Sequence, residues 1–201
     1  MSGLLLLVPV LLGGFAGGPA RGTTQASLHG LKVRVEYGRP RLFGRTLAEL
    51  MDGLPEDRIW RAGFNEVTTF ATEGALLLGR FRVPPGCYSL YVHVPKDSPS
   101  ELILNSDLGL ELGSLGRALG FPVSAEDAHR RWPHLEGYDK GNPEKGLPPI
   151  ASAEVARAPL RSEQVEPLDL FTVTFRSIEG GLELQLVWGE IRLSADLRPA
   201  P

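Results

Sequence analysis

Apolar and polar residues alternate at every second position along much of this chain, and no other feature restricts its fold as strongly. In "LKVRVEY" (31–37), Leu31, Val33, Val35 and Tyr37 fall on one side, and Lys32, Arg34 and Glu36 on the other. "CYSLYVHV" (87–94) sets Tyr88, Leu90, Val92 and Val94 against Cys87, Ser89, Tyr91 and His93. Successive strand side chains point to opposite faces, so each segment buries one face and wets the other. Residues 66–71, "ALLLGRFRV", "ELILN", "LDLFTVTF", "GLELQLVW" and "IRLSADL" are expected as further strands. Turns fall at 84–86, at "KDSPS" and at Gly180 and Gly181, with Gly189 expected as a bulge. Strands joined by short turns, without alternating helices, predict an all-β fold: an antiparallel β-sandwich, jelly-roll-like, with a short helical and loop insertion.

Two stretches interrupt the pattern. "GRPRLFGR" (38–45) reads as a loop or edge segment, because Pro40 cannot donate to a ladder. "TLAELMDGLP" reads as a short helix, capped by Thr46 with Glu49 three residues on, and stopped by Gly53 and Pro55. Residues 107–165 lack sustained alternation. There "LGSLGRALGF" and "SAEDAHRRW" are expected as short helices, the second with a Ser124–Asp127 capping box, before the polar loop "GYDKGNPEKGLPP". "IASAEVARAPL" is expected to return as an edge strand. The organisation predicted is one domain over 28–198, with an insertion at about 107–160 lying over one edge or end of the sandwich.

The chain has 201 residues, net charge −3 and pI near 5.8, which argues against nucleic acid as a partner, since phosphate binding needs a basic excess. The single cysteine, Cys87, allows no internal disulfide and is expected as a half-buried strand residue. Residues 1–20 read as a secretory signal: the apolar run at 4–12 is too short to span a bilayer, and small residues follow at Gly14, Ala16, Gly18 and Ala20. The expectation is a periplasmic or secreted protein with no membrane span once the signal is removed.

Several polar groups could hold a ligand. Arg39, Arg41, Arg45 and Arg61 could clamp a carboxylate or phosphate; the structural alternative pairs Arg61 with Glu66 or Glu36. Asn65 suits a left-handed bend, and Glu66 could act as a base or a sugar-binding carboxylate. Ser89, Tyr91 and His93 share a face, but Ser89 and His93 would stand about 13 Å apart, too far for a nucleophile and its base. His129, His134, Glu136 and Asp139 match no standard zinc spacing, so no metal is expected, and no cofactor motif is present. Trp60 and Trp188 read as core or corner anchors whose indole N–H groups reach carbonyls.

The order of motifs resembles the secreted bacterial family catalogued as domain of unknown function twenty-nine-eleven. "YGRPRLFGR" (37–45), "IWRAGFNEVTT" (59–69), "PPGCYSL", and later "FTVTF" and "VWG" carry the resemblance, over about 28–105 and 160–197. It implies a β-rich exported domain and no established reaction. The function expected is a non-catalytic binding or interaction domain for a small polar ligand or glycan, using Arg39, Arg45, Arg61, Asn65, Glu66, Tyr91 and His93. The alternatives are a hydrolase or isomerase with Glu66 or His93 as general base, and a structural cell-envelope protein.

Overall fold

A computed structural model describes residues 21–133, 138 and 150–201. The leader expected at 1–20, most of the segment "GYDKGNPEKGLPP" expected as a loop, and His134, Glu136 and Asp139 lie outside the described residues. In chain order the elements are β1 (Gly22–Leu28), β2 (Leu31–Tyr37), α1 (Leu47–Asp52), β3 (Ile59–Trp60), β4 (Thr69–Thr72), β5 (Leu76–Leu78) and β6 (Phe81–Val83). They continue as β7 (Gly86–His93), β8 (Glu101–Asn105), β9 (Leu110–Glu111), α2 (Leu112–Leu119), β10 (Arg131–Trp132), β11 (Glu154–Pro159), β12 (Arg161–Ile178) and β13 (Gly181–Pro199).

Two antiparallel sheets make the sandwich. The larger runs β1-β2-β4-β7-β8-β11, with β3 also paired to β7; the smaller runs β12-β13-β5-β6. The alternating residues fill the space between them. Val33, Val35, Phe70, Leu90 and Val92 from the first sheet meet Phe171, Val173, Leu184, Leu186 and Leu197 from the second, all at most 2% exposed. Tyr37 ties the layers together: its hydroxyl accepts from Val173 N at 3.0 Å and lies 3.4 Å from Val173 O.

The segments expected as strands form β2, β7, β8 and β11, the last at a sheet edge as expected. The helix at 47–52 carries the full capping box: Glu49 N donates to Thr46 Oγ1 at 3.2 Å, and Thr46 N to Glu49 Oε2 at 2.7 Å. Other readings change. "ALLLGRFRV" is a tight hairpin, β5 and β6, because Gly79 takes φ +57 in its middle. The three terminal strands are two long ones, since Gly189 (φ +58) bends β13 without ending it, and the register against β12 shifts there. "SAEDAHRRW" forms turns and then β10; Ser124 Oγ accepts from Asp127 N and donates to Asp127 Oδ2, half of a capping box, but no helix follows. β1 was not anticipated: "GTTQASL" has little apolar content, and its pairing comes from the two-residue turn His29 (φ +50) and Gly30 (φ +86). Cys87 is exposed rather than half-buried.

The second face of β7 is not a solvent face. Tyr91 and its cross-strand neighbour Ile103 are fully buried beneath Tyr138 and Ile150 from the insertion. Asn105, also fully buried, holds that cover by donating to Tyr138 Oη (3.1 Å) and Ile150 O (2.7 Å).

An acid-sensitive point sits on the smaller sheet. The Glu183 carboxylate, 4% exposed, accepts from Arg176, Gln185 and Arg161, and these bonds depress its pKa to about 2 from 4.5. A depressed folded-state pKa gives stability that is present above about pH 4.5 and lost as the pH falls towards 2. Both arginines are more than half exposed, so the contribution is discounted to about 2 kcal/mol. In urea unfolding between pH 5 and pH 2.5, the advantage of the wild type over Glu183→Gln is expected to shrink steadily. An advantage that stays constant over that range would show the carboxylate is not the group responsible.

Candidate functional site

The segment "IWRAGFNEVTTF" is one strand with a piece looped out. β3 pairs Trp60 with Val92, and a regular continuation would set Gly63 opposite Ser89. Thr69 stands there instead, so six extra residues bulge from the sheet. Three residues in this region hold left-handed backbones without being glycine: Arg58 (φ +55), Ala62 (φ +49) and Asn65 (φ +62). Each costs on the order of 1–2 kcal/mol, so the surroundings must impose the shape.

They do so through close contacts. Thr68 Oγ1 donates to Ala62 O at 2.9 Å. Gly63 sits so near that hydroxyl that a Cβ would come within 2.6 Å of it, and a Cβ on Gly38 would come within 1.9 Å of Phe64 O. Arg58 ties α1 to the end of β7, its Nε donating to Val94 O (3.0 Å) and its Nη1 to Met51 O (2.6 Å).

The bulge forms one wall of a cleft of about 290 Å³ at the end of the sandwich. Arg61 projects into it, and aromatic walls are supplied by Trp60, Trp188, Phe64, Tyr91 and Tyr138. Trp60 and Trp188 stack at 5.5 Å with planes 15° apart, and the Trp188 indole N–H donates to Asp169 O. Tyr91 and Tyr138 meet edge to face at 5.2 Å. Behind Arg61 lies the Trp132 ring, 5.7 Å from the guanidinium carbon.

Arg61 is largely buried, and burial pulls its pKa below the ordinary guanidinium value, although an arginine keeps its charge at physiological pH. Among the described residues no carboxylate pairs with it. Asp57 lines the same cleft, but its oxygens accept from the backbone N–H groups of Ile59 (3.2 Å) and Tyr138 (3.0 Å). The expected pairing of Arg61 with Glu66 or Glu36 is therefore absent. The six-residue bulge turns the two side chains apart.

Glu66, 9% exposed, is instead held by Arg21 at 3.4 Å and by Arg130. It borders a separate, open hollow with Glu36 and Arg131, where charges of both signs neutralise one another. His93 lies elsewhere again. Its Nδ1 is 3.0 Å from Glu101 Oε2, which also accepts from Arg157. Partial burial pushes the Glu101 carboxyl up, but these bonds outweigh it and hold the pKa below its usual value.

The Arg cluster of 38–45 disperses as well. Arg39 lies against Gly22 of β1, Arg41 pairs with Asp169 at 2.9 Å, and Arg45 reaches the cleft rim while donating to Leu42 O. Of the residues singled out in the sequence, Arg45, Arg61 and Tyr91 share the cleft, whereas Arg39, Asn65, Glu66 and His93 do not line it. Asp57, Met51 and Tyr138 were not anticipated there. Asp57 had one local signal, an Asx turn onto Ile59 N. Among the described residues no three His, Cys, Asp or Glu side chains gather as a metal site would require, and no helix is long and apolar enough to cross a membrane.

Fold and cleft together define a β-sandwich with an aromatic pocket around a guanidinium that has no carboxylate partner among the described residues. Residues 19–116 match the family described as "Protein of unknown function (DUF2911)". The matched stretch contains Arg45, Trp60, Arg61 and Tyr91; Tyr138 and Trp188 fall beyond it. No curated protein and no solved structure matches the chain.

Proposed function

We propose that this protein is a binding domain for a small carboxylate-bearing molecule, held in the cleft by Arg61. The observation that carries this reading is the largely buried guanidinium with no carboxylate partner among the described residues. Burying a charge without a counter-ion is costly, and buried arginines are normally paired. A ligand carboxylate would supply the missing partner through a charge-assisted bond, and the rings around it suit an apolar or planar body. The reading narrows the expected small polar ligand to an anion. Arg45 at the rim adds attraction for the same charge. The leader-like sequence at 1–20 supports the further proposal that the protein works outside the cytoplasm, which cell fractionation would test.

Hexanoate and hexanamide are nearly isosteric and differ in charge. Calorimetric titration is expected to give hexanoate at least tenfold tighter binding, weakening with added salt. Equal affinity for the amide would remove the basis of the proposal.

A further inference from the structure

A second hollow, also about 290 Å³, lies directly beside the Arg61 cleft. Met51, Trp60 and Trp188 line both, so the stacked indoles and one flexible thioether form the shared wall. The character changes across that wall. The first hollow presents Arg61 and Arg45, whereas the second is walled mainly by Leu47, Leu186, Ile191, Leu193 and Phe171, with Ser100 and Ser162 supplying hydroxyls. Helix α1 roofs both: Leu50 and Met51 face the first, and Leu47, Ala48 and Met51 the second. None of its residues is fully buried, and six residues are too few to hold a helix alone. Its order depends on the capping box and on Arg58.

From this continuity we infer that the ligand is an amphipathic carboxylate with a linear hydrocarbon tail, of the fatty-acid class. The head pairs with Arg61. The tail crosses the flat face of the Trp60–Trp188 stack, displaces the unbranched Met51 side chain, and fills the second hollow. Met adapts to such displacement more readily than a branched side chain. The order of charge, aromatic shelf and apolar chamber matches the order of groups along such a molecule. This inference rests on the Arg61 reading above and adds the chemistry of the tail.

Titration of the wild-type protein with straight-chain carboxylates of six, eight and ten carbons tests it. Each added methylene buried in the second hollow is expected to tighten binding by about three- to fourfold. Ala48→Trp, at an exposed helix position that borders the second hollow, places a ring in that chamber. Decanoate should then bind no better than hexanoate does. Hexanoate binding that depends on Arg61, with no gain for decanoate in the wild type, would overturn the tail assignment and leave the carboxylate site standing. Decanol binding as tightly as decanoate, to both wild type and Arg61→Met, would overturn the carboxylate site as well.

Discussion

Gly38→Ala is expected to destabilise the protein by about 3 kcal/mol, seen as a large drop in the denaturation midpoint with little change in slope. Gly38 does not occupy a left-handed backbone, so conformational freedom is not what the position requires. Space is. The added methyl would lie 1.9 Å from Phe64 O and 2.7 Å from Phe64 N, both backbone atoms that cannot rotate away. The bulge at 61–68 would have to retreat from the end of β2, loosening the Thr68–Ala62 bond and the wall of the cleft. Restricting the unfolded chain with alanine returns at most about 1 kcal/mol, so the net sign stays unfavourable. Gly63→Ala should cost less, because the Thr68 hydroxyl it meets belongs to a side chain. Equal and small losses at both positions would mean that the bulge is not held by this contact.

Arg61→Met is expected to have opposite effects on stability and on binding. Methionine has similar length, packs against the Trp132 ring and carries no charge to desolvate. Replacing an uncompensated buried charge with an apolar side chain is often neutral or stabilising by about 1–2 kcal/mol. Loss of the charge-assisted bond should weaken carboxylate binding about 30-fold, equivalent to about 2 kcal/mol. A guanidinium serving the fold would behave otherwise: its removal would destabilise by about 3 kcal/mol. Urea unfolding and titration of the same variant therefore separate a binding residue from a structural one.

The sandwich was legible because period-two alternation survives in β2, which buries one face, and in the apolar set Tyr88, Leu90 and Val92 of β7; β8 buries both faces and was read from an apolar run between turns. It was not legible in β1, whose "GTTQASL" is held by backbone pairing and a His29–Gly30 turn rather than by an apolar face. The helix at 47–52 was legible to the residue at its cap, because a capping box is local chemistry. The site was only partly so. Asn65 announces its own left-handed bend, but Arg58 and Ala62 are forced into theirs by contacts distant in sequence, at Val94, Met51 and Thr68. Without those bends Arg61 and Glu66 read as natural partners. The excursion sends Arg61 into the cleft and Glu66 to Arg21 and Arg130. Tyr91 was placed on the correct face of β7, yet the cover over that face comes from Tyr138 and Ile150, which no periodicity connects to it.

The carboxylate site is tested most directly by following the indole N–H resonances during titration with hexanoate. Trp60 and Trp188 line the cleft, and Trp132 stacks behind Arg61. All three are expected to shift in a saturable way with hexanoate, to need at least about tenfold more hexanamide for the same shift, and to need about 30-fold more hexanoate in Arg61→Met. Titration midpoints that are identical for acid and amide, or that are unchanged in Arg61→Met, would contradict a carboxylate site built on Arg61.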